Sequence, residues 1–119
     1  MKVRSIRGAT TVSVDSKEEI SDSVVELLGE IFKVNQIAEG DLISILFTAT
    51  PDLKAEFPAT AARRLGLADT PLICAAELDI TGALSRCLRV LVTTHSNLEK
   101  SEIRHVYLRD AVALRKDIQ

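Results

Sequence analysis

The stretch Cys87-Leu88-Arg89-Val90-Leu91-Val92-Thr93-Thr94-His95 is β-branched and aliphatic along most of its length, so it reads as one long strand. Alternation puts Cys87, Arg89, Leu91 and Thr93 on one face and Leu88, Val90 and Val92 on the other. Apolar side chains on both faces place the strand near the middle of a sheet, and Arg89 is the exception there. A guanidinium at such a position must find a partner, because an unpaired buried charge costs on the order of several kcal/mol. The residues leave three partners open: a carboxylate of the same chain, water at an open sheet face, or a bound anion.

Upstream, Pro71 precedes a strand from Leu72 to Leu78, and Thr81-Gly82 makes a turn. Cys74 and Glu77 have opposite parity on that strand, so a regular strand cannot aim both into one pocket. Either the strand bulges or the two residues serve different pockets. Cys74 fits a small buried hydrophobe, with nothing near it in sequence to activate a thiolate. Glu77 fits a partner for a neighbouring Arg. Pro58 opens a short helix that reaches about Leu65 and stops at Gly66, with Arg63 and Arg64 near the end favoured by the helix dipole.

Leu42 to Thr48 reads as a continuous apolar strand buried on both faces and ended by Thr50-Pro51-Asp52. Glu39-Gly40-Asp41 is the turn before it. Ser16 and Glu19 form a capping-box pattern, and Ile20, Val24, Leu27, Leu28, Ile31 and Phe32 recur at helical spacing through residue 34. Residues 2–14 form a first strand with a bulge expected at Gly8, where the missing Cβ permits close approach of backbone or ligand. Arg7 precedes it. Downstream, Asn97 to Ser101 is polar and loop-like, and Arg104 to Leu108 is a final strand on which His105, Tyr107 and Arg109 alternate. The tail carries Leu114 and Arg115. Strands interleaved with two helices give an α/β chain of the α+β kind, with a mixed sheet in a single domain over 1–119.

The composition agrees with one aliphatic core. Of 119 residues 46% are hydrophobic, which excludes disorder, while three Phe, one Tyr and no Trp exclude a pocket of stacked rings. Fifteen Lys and Arg against seventeen Asp and Glu leave a net charge of −2, with no general pull on nucleic acid or anionic membranes. Anion binding must then rest on a few placed cations. Two Cys and two His give neither a disulfide scaffold nor a zinc pattern. No signal peptide or membrane-spanning run is present, so a cytoplasmic location is expected.

Six ordered segments resemble the small monofunctional chorismate mutases of the Bacillus type. They are Arg4-Ser-Ile-Arg7-Gly8-Ala-Thr-Thr-Val12, Thr48-Ala-Thr-Pro51-Asp52-Leu53, Phe57-Pro58-Ala59 with Arg63, Glu77-Leu-Asp79-Ile-Thr81-Gly82, Cys87-Leu-Arg89-Val90, and Arg104-His105-Val106-Tyr107-Leu108. Each motif alone is weak, but their order over almost the whole chain is specific. The resemblance implies an isomerase that converts chorismate to prephenate on the branch to Phe and Tyr, without metal or organic cofactor. It implies a homotrimer shaped as a pseudo-barrel, with sheets inside and two helices on one face of each, and active sites in clefts between subunits.

By motif match, Arg7, Glu77, Arg89 and Tyr107 would come from one chain and Phe57, Arg63 and Cys74 from its neighbour. Two pockets would then explain the parity of Cys74 and Glu77. The implied roles place Arg89 at the ether oxygen, Arg7 and Tyr107 on the enolpyruvyl carboxylate, Glu77 and Cys74 at the ring hydroxyl, and Arg63 at the entrance. Phe57 and Leu114 would pack on apolar parts of the substrate, and the tail from Ala111 would close the cleft. Thr60 stands where the family can carry a cation, and Ala75 and Ala76 replace bulkier residues of some relatives. The rival readings are a trimeric enamine/imine deaminase and a non-catalytic trimer that binds an aromatic-pathway metabolite.

Overall fold

The computed structural model describes residues 1–117. Five strands form one mixed sheet: β1 (Lys2–Thr11), β2 (Leu42–Ala49), β3 (Leu72–Ala76), β4 (Cys87–Ser96) and β5 (Val106–Tyr107), in the order β3-β2-β4-β1-β5. β4 runs antiparallel to both β1 and β2, while the outer pairs β2–β3 and β1–β5 are parallel. The long β-branched strand is thus the centre of the sheet, as its composition demands.

Two helices, α1 (Lys17–Val34) and α2 (Pro58–Ala62), supply the core that covers one face of this sheet. Ile20, Val24, Leu27, Leu28 and Ile31 of α1 are fully buried with Ala61 and Ala62 of α2, against Ile6, Ile45, Phe47, Leu88, Val90 and Val92. Each large aliphatic side chain buried this way contributes about 1.5–3 kcal/mol. α2 gives way to a 3-10 turn at Arg63–Leu65 and stops at Gly66, whose φ of 77° is cheap only for glycine.

Several expectations need correction. β1 ends at Thr11, short of residue 14, and its register with β4 runs unbroken from Lys2↔Ser96 to Thr11↔Cys87. The sheet's irregularity lies at Leu42/Ser44 in β2 instead of at Gly8. The missing Cβ of Gly8 serves helix packing: a Cβ there would lie 2.6 Å from Cδ1 of Ile31 and 3.0 Å from Cγ2 of Val90. β2 is buried on one face only, because none of the described residues covers Leu46 on the side away from the helices; Ile45 and Phe47 are buried while Leu46 is exposed. β3 ends at Ala76, and β5 keeps two residues of the longer strand expected.

Half of the capping box forms. The Glu19 N–H donates to Ser16 Oγ, but the Glu19 carboxylate turns to the backbone and hydroxyl of Ser13, which hold its pKa below the ordinary carboxylate value. The tail is a 3-10 helix over Arg109–Asp117. It is fastened at its start by Arg109, whose guanidinium donates to Thr11 O and Ser23 Oγ and pairs with Glu26 at 3.3 Å.

Candidate active site

The strand registers set one row of residues across all five strands. Ala75 pairs with Thr48, Thr48 with Arg89, Arg89 with Ala9, and Ala9 with Tyr107. All lie on the face away from the helices. Arg89 therefore rises from the central strand between two short side chains, and the small Ala9 leaves a gap between its guanidinium and Tyr107. Arg7 lies two positions along β1 from Ala9, on the same face.

Glu77 follows β3 and extends its ladder by one bond, from its N–H to Ala49 O at 2.9 Å. Its parity is that of Ala75, so its side chain joins the same face. The Glu77 carboxylate accepts the Thr48 hydroxyl at 2.5 Å, and the same oxygen lies 3.5 Å from Arg89 Nε. Arg7, Thr48, Glu77, Arg89, Leu91 and Tyr107 line one hollow. Arg89 is 43% exposed there and Glu77 20%. The three partners open for Arg89 resolve into two: an internal carboxylate and an open sheet face. The contact with Glu77 is one of charge alone, because Arg89 Nε is buried with no hydrogen-bond partner among the described residues.

Cys74 belongs elsewhere. It pairs with Phe47, shares its helix-facing side and packs against the core. It lines a second hollow with Lys17, Leu53, Phe57, Pro58 and Ala76. Phe57 is 69% exposed at its rim. The opposite parity of Cys74 and Glu77 is therefore real. The sequence's site residues fall into two sets, with Arg7, Glu77, Arg89 and Tyr107 together and Phe57 and Cys74 together on the other side of the sheet.

Arg63 and Leu114 line neither hollow. Arg63 is exposed just after α2, and Leu114 is half-buried in the 3-10 tail. Among the described residues, none of the tail from Ala111 on lines the arginine hollow of its own chain. The tail's root, Ala111, is fully buried, and its N–H donates to Leu108 O. Thr60, Ala75 and Ala76 are exposed.

Thr48 is the site residue that sequence reasoning missed. Its signal is a cross-strand register with Arg89, which no single-strand pattern contains. The second thiol, Cys87, is buried beneath the site, and burial pushes its pKa up, so it offers no thiolate. Among the described residues no group of three or more His, Cys, Asp or Glu side chains gathers as metal ligands do. The arrangement presents two guanidiniums, a phenol and one carboxylate acceptor. Such a set can bind a carboxylate and stabilise negative charge that grows on an oxygen.

Comparison with known proteins gives a consistent result. Residues 3–118 match the family chorismate mutase type I. Chorismate mutase AroH of Bacillus subtilis (strain 168) is 44% identical over 119 residues, covering 99% of this chain and 94% of that protein. Chorismate mutase AroH of Thermus thermophilus is 42% identical over 118 residues, covering 98% and 97%. A solved chorismate mutase from Clostridium thermocellum superposes with a TM-score of 0.91 at 44% identity, covering 92% of this chain and 98% of that one.

Proposed function

Since this chain belongs to the chorismate mutase type I family, we propose how its residues isomerise chorismate to prephenate: Arg7, Glu77, Arg89 and Tyr107 of one chain work with Phe57, Arg63, Cys74 and Leu114 of a second copy. The family assignment sets aside the deaminase and the non-catalytic readings. The observation that carries the mechanism is the row across the sheet, which seats Arg89 beside Glu77 and opposite Tyr107.

The rearrangement breaks the ether carbon–oxygen bond while a new carbon–carbon bond joins the enolpyruvyl methylene to the ring. The electrons move within the substrate and no proton is transferred, so the protein's work is geometric and electrostatic. First, the flexible enolpyruvyl group must be held over the ring in its reactive diaxial form. Arg7 and Tyr107 grip its carboxylate from β1 and β5. Second, bond breaking runs ahead of bond making and leaves negative charge on the ether oxygen. Arg89 donates there and to the same carboxylate. By analogy with oxyanion donors this is worth about 3–4 kcal/mol of transition-state stabilisation.

Glu77 accepts from the ring hydroxyl and faces the positive charge that develops on the ring fragment. Thr48 takes one lone pair of its Oε2 and keeps the carboxylate turned toward Arg89. Cys74 of the second copy meets the ring hydroxyl through its polar atoms, Arg63 the ring carboxylate at the entrance, and Phe57 and Leu114 the apolar edges.

A homotrimer, a pseudo-barrel with the sheets inside, completes the reading. What supports it is the bare sheet face: Val3, Leu46, Ile73 and Leu91 are exposed there, Ile73 at 65%. The reading requires the β3-edge hollow of one chain to meet the arginine hollow of the next. A cytoplasmic location on the branch to Phe and Tyr, with no nucleic-acid or membrane partner, fits a net charge of −2. The test is ultraviolet-monitored loss of chorismate beside a mass measurement in solution. Turnover by a species of three chains is expected; full turnover by a lone chain would overturn the shared site.

A further inference from the structure

We propose that His105 is a positioning residue for Arg7, its neutral ring holding the backbone of the carboxylate-binding arginine in place. This rests on the role given to Arg7 above. β5 is so short that its ladder with β1 covers only Gly8↔Val106 and Ala9↔Tyr107. Arg7 is the next residue of β1, and its N–H faces the same edge, beyond the last strand pair. The imidazole takes the place of the missing carbonyl: the Arg7 N–H donates to His105 Nδ1 at 2.9 Å.

The ring is itself braced. Buried Asn35, at the end of α1, clamps the backbone of Arg104, donating from Nδ2 to Arg104 O at 2.9 Å and accepting the Arg104 N–H at Oδ1 at 2.8 Å. A line of contacts thus runs from α1 through Arg104 and His105 to Arg7.

Accepting that bond requires a lone pair on Nδ1, so the ring must be neutral with its proton on Nε2. Its surroundings favour that neutral form. Arg7 on β1 stands beside it, and the hollow it lines also holds Lys100 of the 3-10 turn at Lys100–Glu102 and Arg4 of β1, whose guanidinium pairs with the Glu99 carboxylate at 3.4 Å. Burial first, and the Arg7 charge second, hold its pKa below the ordinary histidine value. When acid protonates the ring, Nδ1 becomes a donor, the bond is lost, and a positive charge appears beside Arg7. The rearrangement transfers no proton, so this ionisation should show in substrate binding more than in the chemical step.

The experiment measures kcat and KM from about pH 5 to about pH 8 for the wild type, His105→Ala, His105→Asn and Arg7→Ala. Asn offers a carbonyl oxygen near the place of Nδ1 and cannot titrate. His105→Ala should raise KM about tenfold with kcat within about threefold. His105→Asn should recover most of that loss and lack the rise in KM that the wild type shows in acid. Native KM in His105→Ala across the range, or an undiminished acid rise in His105→Asn, overturns the inference. If His105→Ala does not fold, the pH profile of His105→Asn decides alone. Native KM in Arg7→Ala would instead overturn the role of Arg7, a result distinct from the failure of His105.

Discussion

The two hollows lie on opposite sides of one sheet and are built differently. The arginine hollow stands on the three inner strands: Arg89 on β4 and Thr48 on β2 are fixed by ladders on both sides, and Arg7 on β1 by a ladder on one side and the His105 ring on the other. The second hollow lies at the β3 edge and is completed by loop residues from Leu53 to Phe57, whose largest side chain faces solvent. The contrast follows the chemistry. Electrostatic stabilisation fails when a donor moves by an ångström, so it belongs on strands that do not move. Apolar contact tolerates small displacements, and in the proposed mechanism a loop would supply it while leaving the substrate a way in.

If that division holds, damage to the central strands should cost far more than damage to the edge. Arg89→Ala should lower kcat at least about a hundredfold while fold and assembly persist. Arg89→Lys should recover only part, because a point charge cannot serve the ether oxygen and the carboxylate together. Stopped-flow or steady-state loss of chorismate reads both. Thr48→Val comes next. It keeps the shape but frees Glu77 to swing from Arg89, and a loss of about tenfold in kcat/KM is expected, with Thr48→Ser close to wild type. On the edge side Cys74→Ser should cost less than about threefold, since no thiolate takes part. A loss as large as that of Arg89→Ala would erase the distinction between the hollows.

The smallest effect concerns acid. The Thr50 hydroxyl chiefly, with the Arg86 N–H, holds the Asp52 carboxyl below its ordinary value of 3.8. A carboxyl whose pKa is lowered by folding adds stability above the unfolded value and loses it as pH falls through the folded one. Below about pH 4 the loop from Thr50 to Phe57 should therefore loosen before the central strands do, seen as earlier amide hydrogen exchange.

Much of this division is legible in the chain itself. The apolar period of Ile20 to Ile31 places α1, the β-branched run from Cys87 places β4, and Pro58 with Gly66 brackets α2 and its 3-10 turn. The parity of Cys74 and Glu77 already separates the hollows. What is hidden depends on contacts between distant segments. The β1–β4 register puts Ala9 beside Arg89, the β2–β4 register puts Thr48 there too, and the β2–β3 register brings Thr48 to Glu77. No local pattern tells that Gly8 yields to Ile31 rather than to a ligand. β2 reads as buried on both faces because the sequence does not distinguish a face covered by a helix from one left bare. The few ladder bonds at the sheet's edge shorten β5, and that shortening is what gives His105 its bond to Arg7.

The most direct test of the divided site is complementation. Chains carrying Arg89→Ala are co-expressed with chains carrying both Phe57→Ala and Arg63→Ala, and chorismate turnover of the mixture is compared with each parent. If every site takes one hollow from each of two chains, random mixing in a trimer restores about a quarter of the sites to wild-type composition, and activity should rise well above both parents. Activity equal to the weighted mean of the parents, in trimers that demonstrably contain both chains, would contradict the account.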